Sequence, residues 1–305
     1  MISTLTNALL FLSAFATVGL LLSASVFVED SQGSLSQLGQ SLKRKAQLAA
    51  GIWLITSAFA IVNKVSEVLE VTLSQAFDLN TLHSFVTQID LGKFMLAQSL
   101  AAFILYVSLT SLKRVLPVLV LIGISLLGLI APVFQSHAAS SGSHGWAIGS
   151  LVTHVIALTL WVGGAIGLVA IPRELRRAAI KRFSPLALWA AIAVVISGFA
   201  SALIRLTSQA TWATSYGVVV FIKILLTILL VSLGYLNREY MTKGSDESWR
   251  AIARTLVGEV FVMAVATALG SALTNLTPPT KEITDISPSV LAIGIETPPK
   301  PSLVN

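Results

Sequence analysis

The sequence predicts an all-α, polytopic membrane protein with about eight transmembrane helices. Hydrophobic residues make up 55% of the 305-residue chain and charged residues only 11%, whereas soluble domains carry about a quarter charged residues. The apolar residues occur in stretches long enough for a helix of about 20 residues to cross a bilayer. Polar or basic segments separate these stretches, which is typical of a multi-pass helix bundle with membrane lipid around it.

Eight apolar stretches follow one another along the chain. The first lacks a positively charged start, so we expect a retained helix and not a cleaved signal peptide. Residues 66–91, between the second and third stretches, are mixed in character and predict a partly helical surface segment. The predicted spans are 5–28, 46–65, 92–111, 115–134, 148–171, 183–204, 216–235 and 252–276. They form one predicted domain, 1–276, and a Pro-rich exoplasmic tail or linker follows at 277–305.

Basic residues gather on alternate connections, which predicts the orientation of the bundle. The connections that lie inside a cell membrane carry an excess of lysine and arginine. Fourteen of the twenty basic residues fall on one side of the predicted bundle, namely Lys43, Arg44, Lys45, Lys113, Arg114, Arg173, Arg176, Arg177, Lys181, Arg182, Arg238, Lys243, Arg250 and Arg254. Both termini and all four histidines are therefore expected on, or toward, the exoplasmic side.

The composition excludes several classes of function. The chain has no cysteine, so disulfides, redox pairs and thiolate metal sites are absent. No phosphate-binding loop or hydrolytic triad is present, and we expect no enzymatic activity. The net charge of +6 mainly orients the connections, and we expect no nucleic-acid partner.

A histidine-rich segment begins at His137 and runs through HAASSGSH into the fifth span. Imidazole is the commonest metal-ligating side chain, and a Gly/Ser-rich loop lets such ligands converge. We therefore predict a metal site formed by His137, His144 and His154. Exposed loop histidines are also found as ordinary polar surface, and a hydrogen bond to a neighbouring helix is the alternative role for His154. That histidine lies inside a span, where an ionisable side chain by default indicates function.

Two further charges fall inside spans. Lys223 lies about 10 Å into the seventh span by helical rise, a depth similar to that of His154, so the two are expected to line one cavity. The alternative role of Lys223 is snorkelling, in which its ammonium reaches the outer headgroups. Glu259 lies near the inner end of the eighth span, where Asn237 or Arg238 is the expected structural partner.

His83 and Met95 are additional candidate ligands near the predicted outer face. The ligand set suits a copper ion, and zinc is a competitor. No haem is expected, because a bis-histidine haem site needs two facing helix histidines and His154 alone lies clearly within a span. The spacing of Gly163 and Gly167 predicts close helix packing.

The chain resembles the copper resistance protein D (CopD) family of bacterial membrane proteins. The matching segments are the loop HAASSGSH, the helix THVIALTLWVGGAIGL, the helix SYGVVVFIKILLTILLVSLGYLNR and the segment GEVFVMAVATALGSALTNLTPP. The resemblance implies copper uptake or transfer at the cytoplasmic membrane. It also supports His137, His144 and His154 as copper-linked residues, and Lys223 and Glu259 as functional membrane charges.

Similar regions in actinobacteria are often joined to a cytochrome c oxidase assembly (CtaG-like) domain. We therefore expect copper transport or copper handling at the exoplasmic face. The alternative is a non-transporting assembly factor or scaffold for copper insertion into a cytochrome c oxidase. The partners expected are a CtaG-like domain, the oxidase itself, or a periplasmic or extracellular copper chaperone.

Overall fold

The computed structural model describes residues 2–135, 144–205, 212–243 and 245–273. Within these ranges it confirms the predicted all-α membrane bundle, with eight helices long and apolar enough to cross a bilayer. A π-helical turn, Ser23–Phe27, extends α1, and a 3₁₀ turn, Ala131–Gln135, extends α6. The helices are α1 (Ile2–Leu22), α2 (Gln37–Val68), α3 (Leu73–Ala76), α4 (Leu79–Gln88), α5 (Asp90–Ser108), α6 (Val115–Ile130), α7 (His144–Val169), α8 (Arg173–Arg205), α9 (Ser215–Lys243) and α10 (Asp246–Leu273). The predicted tail, 277–305, and His137 lie outside the described residues.

Several helices extend beyond the apolar stretches that predicted them. Helix α8 begins at Arg173, so the basic residues expected in a connection before residue 183 form its first turns. Helix α2 begins at Gln37, after an N-cap in which the Ser36 side chain accepts from the Gly39 N–H. Hydropathy marks only the part of a helix that crosses lipid, whereas backbone hydrogen bonding continues past the bilayer surface.

Successive spans run in opposite directions, so their ends lie on two faces of the bundle. We call the end at which α1 and α7 begin the histidine face, and the opposite end, where α2 and α8 begin, the basic face. The short helices α3 and α4 lie on the histidine face, in agreement with the predicted surface segment. The exoplasmic placement of the histidine face stays a prediction from the distribution of basic residues.

Helix α1 lies at the centre of the bundle and packs against α2, α7 and α10. Its contact with α7 is a glycine seam, in which a side-chain carbon added at Gly19 would lie 1.6 Å from the backbone oxygen of Gly163. A side-chain carbon added at Gly167 would likewise lie 2.3 Å from the backbone oxygen of Gly19. The predicted packing role of Gly163 and Gly167 is thereby confirmed. Helix α9 is the least buried of the spanning helices and packs mainly against α10.

Polar side chains join the helices at both ends of the bundle. On the basic face the buried Lys43 ammonium donates to the Leu112 carbonyl over 2.7 Å. On the histidine face the Asn63 amide donates to the Thr6 hydroxyl over 3.0 Å. Such bonds satisfy polar groups that lipid cannot hydrogen-bond.

Candidate functional site

His154 lies on α7, within the span, and its imidazole faces α8. The Nδ1 atom is 3.0 Å from the hydroxyl oxygen of Ser197 on that helix. A Cβ added at Gly198, the next residue, would lie 3.5 Å from the ring carbon Cε1. The imidazole is therefore held against the backbone of α8 and does not point into lipid.

Ser197 is buried, and its hydroxyl is close to two carbonyl oxygens of its own helix. It lies within hydrogen-bond distance of the Ala193 carbonyl and 3.2 Å from the Val194 carbonyl. Serine hydroxyls in apolar helices commonly donate to the carbonyl four residues earlier. Ser197 therefore links the His154 ring to the backbone of α8.

A second polar contact repeats this geometry one turn closer to the histidine face. The hydroxyls of Ser150 on α7 and Ser201 on α8 are 3.1 Å apart. Because the two helices are antiparallel, residues four apart on one helix face residues four apart on the other. Ser150 and His154 thus pair with Ser201 and Ser197, and these four side chains form what we call the serine–histidine seam.

Lys223 on α9 lies beside α10 and close to the serine–histidine seam. A side-chain carbon added at Gly270 on α10 would lie 3.1 Å from the Lys223 ammonium, so the absence of a side chain there makes room for the lysine. Lys223 is also close enough to His154 for the two side chains to interact electrostatically. The structure therefore brings together the two intramembrane groups that sequence alone placed at one depth, and α7, α8, α9 and α10 each contribute to the site.

Glu259 occupies a different part of the bundle. The Asn237 side-chain amide on α9 donates to its carboxylate, and the Thr255 hydroxyl donates to the Asn237 side-chain oxygen over 3.0 Å. Asn237 follows Lys223 by fourteen helical residues, which places this network about 21 Å closer to the basic face. Asn237 is thus the structural partner expected from the sequence, and Glu259 is too distant to ligate an ion at His154.

The other candidate ligands do not converge on His154 in the described part of the chain. His144 is the first residue of α7, of which the backbone alone is described, and ten residues of continuous helix set it about 15 Å from His154 along the axis. His83 is exposed on α4, and Met95 packs between two buried apolar clusters. Among the described residues, no group of three or more His, Asp or Glu side chains is arranged to hold a metal ion.

Ser197, Ser201 and Ser150 are the site residues that sequence reasoning missed. A single serine scarcely alters the hydropathy of a span, so the hydropathy of the sequence does not distinguish a serine with a functional role from one without. The detectable pattern was the spacing, since Ser150 and His154 are four residues apart, as are Ser197 and Ser201.

Two family models match the chain. The model described as copper resistance protein D-like, N-terminal domain, matches residues 2–149, and the model described as copper resistance protein D matches residues 177–273. His144, Lys223 and Glu259 fall within these ranges, whereas His154 falls between them. No curated protein and no solved structure matches the chain. With both the N-terminal and the C-terminal parts of the family matched in order, the chain belongs to the copper resistance protein D family.

Proposed function

We propose that this protein moves copper from the exoplasmic side into the cytoplasmic membrane, with His154 as the ligand within the span. The observation that carries the proposal is the position of His154, held by Ser197 at the junction of four helices. An imidazole fixed in this way inside a membrane indicates a functional group. Membership of the copper resistance protein D family supports copper as the ion.

Two successive positions for copper fit the spacing of the histidines better than one shared site. About 15 Å of helix separates the backbones of His144 and His154, so a single shared ion would require the two side chains to extend directly toward one another along the helix axis. His137 and His144 then form the entry position, and His154 forms the inner one. Imidazole ligands suit copper(II) and also hold copper(I) at low coordination number, and zinc is the competing ion.

Lys223 favours brief occupancy of the inner position. An ammonium near a bound cation raises the energy of the bound state, and the effect is larger inside a bundle than in water. An ion in transit must bind well enough to enter and weakly enough to leave. We therefore assign Lys223 the role of weakening copper retention at His154.

Copper uptake into proteoliposomes that enclose a copper-responsive dye tests this proposal. The His154→Ala variant should lose about tenfold or more of the uptake rate, since changes merely adjacent to a metal ligand already cost about 10–100-fold in affinity. The Thr153→Ala variant is the matched control, because Thr153 is the exposed neighbour of His154 on α7. Lys223→Met should bind copper more tightly than the wild type and release it more slowly.

The result that would refute the proposal is wild-type protein that binds no copper, or a His154→Ala variant that transports as fast as the wild type. Copper that binds without entering the vesicles would favour the assembly-factor function. In that case loss of the protein should reduce cytochrome c oxidase activity before it alters total cell copper. The same uptake assay with zinc in place of copper shows which of the two ions the protein prefers.

A further inference from the structure

We infer that Ser197 is a positioning residue that fixes the His154 ring with its proton on Nδ1, so that Nε2 is the nitrogen available to a metal ion. The role of Ser197 on the ring stands on the hydrogen-bond geometry of the seam. Its consequence for copper rests on the proposed function.

The Ser197 hydroxyl has a single proton to donate. The hydroxyl oxygen lies within hydrogen-bond distance of the Ala193 carbonyl and 3.2 Å from the Val194 carbonyl. A carbonyl oxygen only accepts hydrogen bonds, so these contacts are satisfied when Ser197 donates. The proton of the hydroxyl is then committed to its own helix backbone, and the oxygen faces His154 as an acceptor.

The Ser197 oxygen is 3.0 Å from Nδ1 of His154, and an accepting oxygen requires a donor, so Nδ1 carries the hydrogen. A neutral imidazole has one N–H and one nitrogen with a free lone pair. Nε2 is therefore the unprotonated nitrogen, which is the form that ligates a metal.

Ser197 is only 4% exposed, so its hydroxyl is shielded from solvent. A partner that holds the second nitrogen of a metal-binding histidine fixes both the tautomer and the ring orientation. Ser197 supplies that partner from a rigid helix.

The other contact of the seam offers a matched control. Ser150 and Ser201 join the same two helices through a pair of hydroxyls, and no imidazole takes part. Removing the Ser201 hydroxyl deletes one bond between α7 and α8 without altering the acceptor of the His154 ring. A purely structural role for Ser197 would make Ser197→Ala and Ser201→Ala equivalent.

The test is ¹⁵N NMR of histidine-labelled, metal-free protein in lipid bilayers, with the His154 signals assigned by their loss in His154→Gln. The wild type and Ser201→Ala should show a protonated Nδ1 and an unprotonated Nε2. Ser197→Ala should show a smaller population protonated on Nδ1 than the wild type, with the Val194 carbonyl as the acceptor that remains for the ring. Copper affinity measured on the same samples should fall by about 10–100-fold in Ser197→Ala and stay near the wild-type value in Ser201→Ala.

A wild-type ring protonated on Nε2 would overturn the inference, and so would identical spectra for Ser197→Ala and the wild type. A tautomer that changes in Ser197→Ala with no change in copper affinity would overturn the consequence for metal binding. If the wild-type ring is protonated on Nδ1 and binds no copper, the role of Ser197 on the ring is supported and the proposed function alone fails.

Discussion

Substitution of Gly19 by alanine should separate α1 from α7. The added Cβ would lie 1.6 Å from the Gly163 backbone oxygen, and ordinary contact begins at 3.4 Å, so the two backbones must part by about 1.8 Å. A backbone oxygen cannot rotate away as the end of a flexible side chain can. The Gly167 position is affected too, because its own Cβ site is 2.3 Å from the Gly19 oxygen.

The expected loss of stability is large. Overpacking a close contact typically costs about 1–3 kcal/mol and occasionally more, and this contact joins two backbones at the centre of the bundle. Helices in lipid are held by van der Waals packing without a hydrophobic drive between them, so a gap along the seam removes much of what binds α1 to α7. We expect a loss of about 3 kcal/mol or more, which the gain of about 1 kcal/mol in helix propensity from Gly to Ala does not offset.

Thermal unfolding of the purified protein in detergent, followed by size-exclusion chromatography of heated samples, measures the effect. Gly149→Ala is the matched control, because Gly149 lies on α7, the helix that Gly19 packs against, and a Cβ there meets no heavy atom of the described residues within 4 Å. Its unfolding temperature should equal or exceed that of the wild type. A Gly19→Ala protein as stable as Gly149→Ala would show that the seam is looser than described and refute the reasoning.

Two further predictions concern polar groups away from His154. Asn237→Ala should lower the unfolding temperature, by an amount equivalent to about 1–3 kcal/mol, because it removes the amide that donates to the buried Glu259 and the acceptor of Thr255; an unchanged unfolding temperature would contradict this. The Thr81 backbone N–H holds the pKa of Asp78 below its usual range. This N-cap of α4 should therefore persist at neutral pH and be lost as the pH falls through the lowered pKa of the folded state. The protection of the Thr81 amide from hydrogen exchange, relative to its intrinsic exchange rate at each pH, should fall in that acid range, and Asp78→Asn, which keeps a capping side chain, should remove this pH dependence; protection that acid does not change in the wild type would argue against the cap.

The number of spanning helices follows from the sequence because each span must be apolar for about 20 residues. The ends of the helices do not follow, as α8 shows. Its first turns carry Arg173 and Arg176, and the Arg176 guanidinium donates to the Val169 carbonyl at the end of α7. A charged segment that caps a neighbouring helix has the composition of a loop and the backbone of a helix.

The candidate site was predictable only in part. Helical rise gave His154 and Lys223 similar depths, and the structure places them within electrostatic range of one another. The serine partner of His154 was not predictable, because it depends on the rotation of α8 about its own axis. Counting residues gives depth in the bilayer but not that rotation. The proposed entry ligand His137 lies outside the described residues, so its role stays a prediction.

Because α9 packs loosely against the rest of the bundle, we expect the lipid around it to affect the geometry of the site. Lys223 is carried by the spanning helix with the fewest protein neighbours, whereas His154 lies on α7, which is fixed to the centre of the bundle. A helix whose apolar length differs from the bilayer thickness adjusts by tilting, and α9 has more freedom to tilt than α7. We therefore expect the distance between the Lys223 ammonium and the His154 imidazole to change with the thickness of the surrounding membrane.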